Sequence, residues 1–165
     1  MISATIIGLD NILFQDEGFG VHLIKFLKKN YSFPEGFTLI DGGCAGLSLI
    51  NLIRDKDLVF IVDVYLSDSP PGTLKVFSWE EIENLGGQHF ASVHQFGVKD
   101  ALGLARLYHI RPKTFKAYAV VPESMELGTE LSPTLRKNLP LIAERIVKDL
   151  RELNFVIREE NSLCV

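Results

Sequence analysis

Residues 4–27 read ATIIGLDNILFQDEGFGVHLIKFL, and this stretch decides the fold that we predict for the chain. Its first four residues are rich in β-branched side chains, as is typical of a strand, and the apolar residues from Val21 to Leu27 recur at helical spacing. Residues 8–20 therefore connect a strand to a helix. In open α/β sheets such connections lie at the carboxyl ends of the strands, where ligands bind.

This connection is acidic, because Asp16 and Glu17 stand side by side among turn-forming residues. A nucleotide site does not fit: glycines 8, 18 and 20 lack the dinucleotide-binding spacing, and no Gly-Lys-Ser/Thr follows. Two carboxylates would also repel a phosphate, so a cation is the more natural ligand. The alternative is that Asp16 or Glu17 only caps the helix and complements its dipole, and the stretch alone favours neither reading.

Aspartates also lie at the carboxyl ends of two further predicted strands. Residues 58–64 form an almost continuous apolar run, typical of a parallel strand covered on both faces, and Asp63 interrupts it. A buried carboxylate is costly unless a cation, hydrogen bonds or the rim of the sheet compensate for it, so we predict a functional role for Asp63. Asp41 begins Asp41-Gly42-Gly43, where the glycines permit a tight turn with positive φ. Its carboxylate is expected either to bond that turn's backbone or to act in catalysis.

The rest of the chain predicts an α/β fold in a single domain spanning residues 1–165. Helices are expected at 47–53 and 97–105, and from Ser132 onward with Pro133 in the first position. Residues 73–77 read as an antiparallel edge strand, because no helix separates them from the preceding strand, and residues 115–121 read as the last core strand. Pro140 is expected to kink the last helix or to mark its start. The predicted architecture is a three-layer sandwich, a twisted and mostly parallel sheet of about five strands with helices on both faces.

Composition and charge exclude several classes of function. The chain has 165 residues, of which 47% are hydrophobic and 23% charged, as in ordinary globular proteins. Its net charge of −4 and lack of a basic stripe argue against binding to nucleic acid. Met1-Ile2-Ser3-Ala4 carries no cationic lead before an apolar segment, so we expect no secretory signal, no membrane partner and a cytoplasmic location. Cys44 and Cys164 form no Cys-x-x-Cys pair and are interpreted as free thiols.

Several motifs follow one another along the chain in a specific order. They are Gly8, Asn11, Asp16, Glu17, Gly18 and Gly20; Asp41-Gly42-Gly43; Ile61-Val62-Asp63; Pro70-Pro71-Gly72-Thr73; Ser92-Val93-His94-Gln95-Phe96-Gly97; Val121-Pro122-Glu123-Ser124; and Leu131-Ser132-Pro133-Thr134. Each motif is weak alone, but in combination they resemble the signature of the nickel-iron hydrogenase maturation endopeptidases. Two positions depart from that signature: Asp10 replaces a usual glycine and Cys44 a usual threonine. Neither departure falls on Glu17, Asp63 or His94, which the resemblance implies as metal ligands.

The resemblance implies a peptidase that removes the carboxyl-terminal extension of a hydrogenase large-subunit precursor after nickel insertion. It implies that Glu17, Asp63 and His94 sense this nickel, although a lone histidine is more often structural. Two carboxylates and an imidazole suit a borderline divalent ion and leave coordination positions open. We therefore expect nickel presented by the precursor, with zinc or cadmium able to replace it, and we expect the chain to act as a monomer.

No serine or cysteine lies in a recognisable nucleophile setting, so attack by water is favoured over an acyl-enzyme. In our hypothesis Asp41, or one of the metal-side acids, orients or deprotonates the water, while a metal or polar group stabilises the oxyanion. Two alternatives remain at this point. One is a non-enzymatic, flavodoxin-like module that binds a small ligand or a metal, and the other is a peptidase for an unrelated substrate.

Overall fold

The computed structural model describes residues 1–9, 11–43, 46–85 and 98–160. Within these residues the strands and helices follow one another as β1 (Ala4–Leu9), α1 (Phe19–Asn30), β2 (Tyr31–Ser32), β3 (Phe37–Gly43), α2 (Leu49–Ile53), β4 (Leu58–Val64), β5 (Leu74–Phe77), α3 (Trp79–Glu83), α4 (Val98–Leu107), β6 (Thr114–Val120), α5 (Pro133–Glu152) and β7 (Arg158–Glu159). Two 3₁₀ turns, Gln15–Gly18 and Gly46–Ser48, precede α1 and α2.

The central sheet has the strand order β3-β1-β4-β6-β5. The first four of these strands are parallel, and β5 runs antiparallel to β6 at the edge. This arrangement confirms the predicted α/β class, the number of strands and the antiparallel edge strand. Because β1 and β4 are adjacent, the connection after β1 and the end of β4 meet at the same edge of the sheet.

Each face of the sheet has its own core, because successive side chains of a strand point to opposite faces. Ile6, Phe60 and Tyr118 pack on one face with residues of α1 and α5. Ile7 and Ile61 pack on the other face with residues of α2, α3 and α4. All residues of β1 and β4 are buried, and for β4 the almost continuous apolar run predicts this burial.

Two glycines set how closely α1 approaches β1. A Cβ added at Gly8 would lie 2.4 Å from the carbonyl oxygen of Gly20, and one added at Gly20 would lie 2.8 Å from the carbonyl oxygen of Leu9. Side chains at these positions would therefore push the helix away from the strand.

The last helix and the carboxyl-terminal tail differ in part from the prediction. Ser132 and Pro133 begin α5 as expected, but the helix continues through Pro140, so the interpretation that Pro140 marks its start is wrong. Pro140 is exposed, and the buried residues that follow it continue the apolar stripe, so packing sustains the helix where one backbone hydrogen bond is lost. The tail that follows α5 contains β7, which pairs with β2, and neither of these two strands is among the predicted elements. Strands of two residues are too short to show a period in the sequence.

Candidate functional site

Glu17 and Asp63 lie buried at the carboxyl ends of neighbouring strands. Glu17 is 7% exposed and belongs to the 3₁₀ turn Gln15–Gly18, which packs against β4. Asp63 is the next-to-last residue of β4 and is fully buried, with one carboxylate oxygen accepting the backbone N–H of Val64 at 2.8 Å. The fold thus brings the elements that carry these two acids to one edge of the sheet, and their role as metal ligands stays a prediction.

Asp41 lies on the opposite side of β1 from Asp63. Gly8 of β1 pairs with Asp41 of β3 on one side and with Val62 of β4 on the other. Two strand spacings, about 10 Å, therefore separate the backbone at Asp41 from that of β4. A bound peptide or water can lie between Asp41 and the end of β4 across this width.

The carboxylate of Asp41 is exposed and bonds the turn that follows it. Its Oδ1 accepts the backbone N–H of Gly43 at 3.0 Å, and Gly43 has a φ of 51°. The turn-forming role weighed from the sequence is therefore present. The catalytic role of Asp41 stays a prediction.

His94, the third predicted ligand, lies outside the described residues, as do Asp10, Cys44 and Cys164. Among the residues that the structure describes, no group of three histidine, cysteine, aspartate or glutamate side chains could hold a metal ion. A site that held a metal ion with three ligands would therefore take at least one of them from outside the described residues or from the substrate. The carboxylate oxygens of Glu17 and Asp63 are of the type that divalent cations take as ligands, and a cation shared between them would offset the cost of burying both charges.

Asp16 is fully buried and accepts four hydrogen bonds from a distant part of the chain. Its Oδ2 accepts the backbone N–H groups of Glu123 and Ser124, at 2.8 and 2.9 Å, and the hydroxyl of Ser132 at 2.7 Å. Its Oδ1 accepts the backbone N–H of Ser132 at 2.7 Å. The backbone N–H of Asp16 in turn donates to the carbonyl of Ser124 at 3.1 Å.

These bonds correct the interpretation that an acid of this pair caps the adjacent helix. Neither the 3₁₀ turn nor α1 has a side-chain cap. Asp16 instead binds Ser132, the cap of α5, so its charge lies at the amino-terminal end of α5, where a helix dipole favours an anion. The sequence held only a weak signal for this role, because Asp16 and Ser132 are 116 positions apart. The immediate neighbour of Glu17 thus ties the site to the segment between β6 and α5.

A cavity of about 460 Å³ opens beside the carboxyl end of β4. Its described lining is the segment that follows Asp63 and Val64, namely Tyr65, Leu66, Ser67 and Asp68. Tyr65 is buried and its ring packs against Phe77 of β5, with 5.2 Å between ring centroids. The described lining mixes polar and apolar side chains and follows Asp63 directly in the sequence.

Comparisons with known proteins agree with one another. A family model described as hydrogenase maturation protease matches residues 21–149. The hydrogenase expression/formation protein HoxM of Azotobacter vinelandii is 34% identical over 149 residues, covering 85% of this chain and 72% of the relative. The hydrogenase 2 maturation protease of Escherichia coli is 32% identical over 148 residues, covering 89% and 90%.

The fold is similar to that of solved structures in the same group. The hydrogenase maturating endopeptidase HybD from Escherichia coli superimposes with a TM-score of 0.83 at 26% identity, covering 96% of this chain and 98% of that one. Among the helices that the structure describes, none has the length and apolar character required to cross a membrane.

Proposed function

This chain belongs to the hydrogenase maturation protease family and is a peptidase of hydrogenase maturation, and we propose that its substrate is a nickel-loaded large-subunit precursor. In this proposal it removes the carboxyl-terminal extension of a nickel-iron hydrogenase precursor in the cytoplasm, acting as a monomer. Membership of the family overturns the alternative of a non-enzymatic, flavodoxin-like binding module. The observation that carries the proposal is the burial of Glu17 and Asp63 at adjoining strand ends.

Glu17, Asp63 and His94 are the residues that would contact the nickel carried by the precursor. Two carboxylates and an imidazole are too few to enclose a divalent ion, so the ion can keep ligands from the precursor while it contacts this protein. Zinc or cadmium would bind the same donor set. Contact with the ion would place the precursor's extension against the strand ends, so an empty precursor would be held less well.

Asp41 is the proposed general base. A peptide that crosses the end of β1 would lie between Asp41 and the buried acids, within the width of about 10 Å that two strand spacings provide. Asp41 would accept a proton from water as the water oxygen bonds to the scissile carbonyl carbon. Breakage of the carbon–nitrogen bond would then release the extension as its amine takes up a proton.

The test is cleavage of a large-subunit precursor, supplied with or without nickel and followed by intact mass. We expect loss of a carboxyl-terminal peptide from the loaded precursor only, and expect Glu17→Gln, Asp63→Asn and His94→Ala each to abolish that loss. The matched control is Asp149→Asn, which alters a buried acid of α5 away from the strand ends. Cleavage of the nickel-free precursor at the same rate would refute nickel sensing, and no cleavage of several precursors would refute the proposed substrate.

The role of Asp41 is tested separately with Asp41→Asn. A lost general base lowers the rate by about 10² to 10⁴. The asparagine side-chain oxygen still accepts the N–H of Gly43, so the turn is expected to persist and the unfolding midpoint to change little. A rate within a few-fold of wild type would show that Asp41 serves the turn alone.

A further inference from the structure

We infer that the segment between β6 and α5, together with Leu13, forms a docking platform for an apolar and basic segment of the precursor. This inference rests on the proposed function and names the surface by which that substrate is bound. The platform is defined as Leu13 and residues 123–130. Leu13 is 57% exposed and Leu127 is 78% exposed.

Backbone hydrogen bonds hold the two leucines on adjoining segments. The N–H of Gly128 donates to the carbonyl of Leu13 at 2.9 Å, and the N–H of Gln15 donates to the carbonyl of Gly128 at 2.8 Å. Phe14 and Gly128 form a parallel bridge between these bonds. Leu127 therefore lies beside the connection between β1 and α1. The same connection carries Glu17, which is four residues after Leu13.

The platform is also fixed at both of its ends. Asp16 binds the N–H groups of Glu123 and Ser124 at one end and Ser132 at the other. Along its length, Nε2 of His22 lies 3.2 Å from the carbonyl of Thr129. A surface that is ordered before binding loses little conformational entropy when a partner binds. This feature separates the two leucines from exposed leucines elsewhere, which are normal on protein surfaces.

The charge of the platform specifies the partner. Residues 121–132 contain three glutamates, Glu123, Glu126 and Glu130, all exposed, and contain no lysine or arginine. Two of them bind groups of α5 or its neighbourhood: Glu123 accepts the N–H of Thr134, and Glu130 pairs with Arg136 at 3.5 Å. Glu126 directly precedes Leu127, so an acidic and an exposed apolar side chain stand next to each other on the platform. The complementary partner carries apolar side chains next to lysine or arginine.

The first experiment measures kcat and KM on a nickel-loaded precursor for Leu13→Ser, Leu127→Ser and the wild type. Each of the two leucines is expected to become buried when the precursor binds. Replacing either one by serine is therefore expected to raise KM about tenfold. The kcat is expected to stay within about twofold, because neither leucine contacts the reacting atoms. The matched control is Leu107→Ser in α4, where the leucine is 75% exposed and lies outside the platform; its KM should match the wild type.

The second experiment reverses a charge with Glu126→Lys. We expect KM to rise several-fold at low salt and expect the increase to shrink as salt screens the interaction. Exchanging a lysine or arginine of the precursor's apolar and basic segment for glutamate should restore the KM of Glu126→Lys while raising that of the wild type. Such a reciprocal exchange would not be produced by a change in folding.

Three results would overturn the inference. An unchanged KM in Leu127→Ser, with the wild type active, would show that the precursor binds elsewhere. A wild-type dimer in sedimentation analysis that Leu127→Ser dissociates would assign the surface to a second copy of the chain. Failure of the wild type to cleave any loaded precursor would refute the proposed function and this inference with it. This outcome is distinguished from the first two because it is seen with the wild type alone, whereas the others depend on Leu127→Ser.

Discussion

Asp16 and Asp149 are both buried carboxylates, but the protein compensates for their burial in different ways. Asp16 receives its hydrogen bonds from three backbone N–H groups and the hydroxyl of Ser132, all of them neutral donors. Asp149 receives the hydroxyl of Tyr118 at 2.7 Å and Nε of Arg145 at 3.1 Å, and lies 3.5 Å from Nζ of Lys116. One acid is satisfied without a cation and the other is paired with two.

The difference teaches where negative charge is retained in this fold. Cations beside Asp149 neutralise its charge, so this acid serves to join α5 to β6. Neutral donors satisfy the oxygens of Asp16 and leave its charge in place, next to Glu17 and at the same edge of the sheet as Asp63. Asp16 therefore fixes the position of its neighbour, and under the proposed function it adds to the negative potential that the metal-bearing precursor would meet.

The largest expected effect is that of Asp16→Asn. In this variant an NH₂ group replaces one carboxylate oxygen and faces N–H or O–H donors that bind that oxygen in the wild type. We therefore expect a loss of about 3 kcal/mol or more in the free energy of unfolding. Displacement of Glu17 should also lower kcat/KM for precursor cleavage by about 10²-fold. Denaturant unfolding and cleavage, assayed where the variant is folded, measure the two effects. A stable variant with wild-type cleavage would show that Asp16 does not position the site.

Asp149→Asn should lower stability without lowering the rate of cleavage. We expect a loss of about 2 kcal/mol, since Arg145 and Lys116 are partly exposed and water can solvate them once the charge is removed. The same unfolding and cleavage measurements apply, with kcat/KM expected within about twofold of wild type. A large fall in kcat/KM for the folded variant would remove the distinction between the two acids.

Substitutions of Ser132 separate its two hydrogen bonds from its size. Its hydroxyl donates to Asp16 and accepts the N–H of Leu135, so Ser132→Ala should cost about 1 to 2 kcal/mol of stability. Ser132→Thr keeps the hydroxyl and should stay within about 0.5 kcal/mol of wild type. Unfolding midpoints of the two variants provide the comparison. Equal losses would indicate that packing, rather than the hydroxyl, holds α5 to Asp16.

The smallest expected effect concerns Tyr118 and pH. Burial, followed by the hydrogen bond and charge of Asp149, raises the pKa of Tyr118 above its usual range. The protonated hydroxyl therefore contributes its full share of the folding stability below pH 10, which is about the pKa of tyrosine in the unfolded chain. Above that pH the free energy of unfolding falls by up to about 1.4 kcal/mol per pH unit. Tyr118→Phe should lose about 1 kcal/mol near neutral pH, and the difference from wild type should narrow above pH 10. A constant difference up to pH 11 would contradict this account.

Much of the fold was predictable because it depends on local patterns. The apolar run of β4 predicted a buried parallel strand, and Ser132-Pro133 predicted the start of α5. Ser78 begins α3 with a side-chain cap, and Glu81 completes a capping box with it. Hydrophobic period and capping act within a few residues, so a single sequence displays them directly.

The candidate site was predictable only in part. Strand ends drew attention to Glu17, Asp63 and Asp41, since parallel strands bring their carboxyl ends to one edge. The sequence could not show that β1 separates Asp41 from Asp63, because the hydrophobic pattern of a strand does not specify which strands lie beside it in the sheet. Nor could it distinguish a cap of α1 from the bonds that Asp16 makes with Glu123, Ser124 and Ser132.

The sequence by itself therefore determined the α/β class, the acidic strand ends and the resemblance that led to the family. Only the tertiary structure decided which acid faces which partner: Asp16 binds residues up to 116 positions away, and β2 pairs with β7 across most of the chain. The physical reason is that burial patterns follow from the local geometry of helices and strands. A hydrogen-bond partner is chosen by the packing of distant segments, which exists only once the chain is folded.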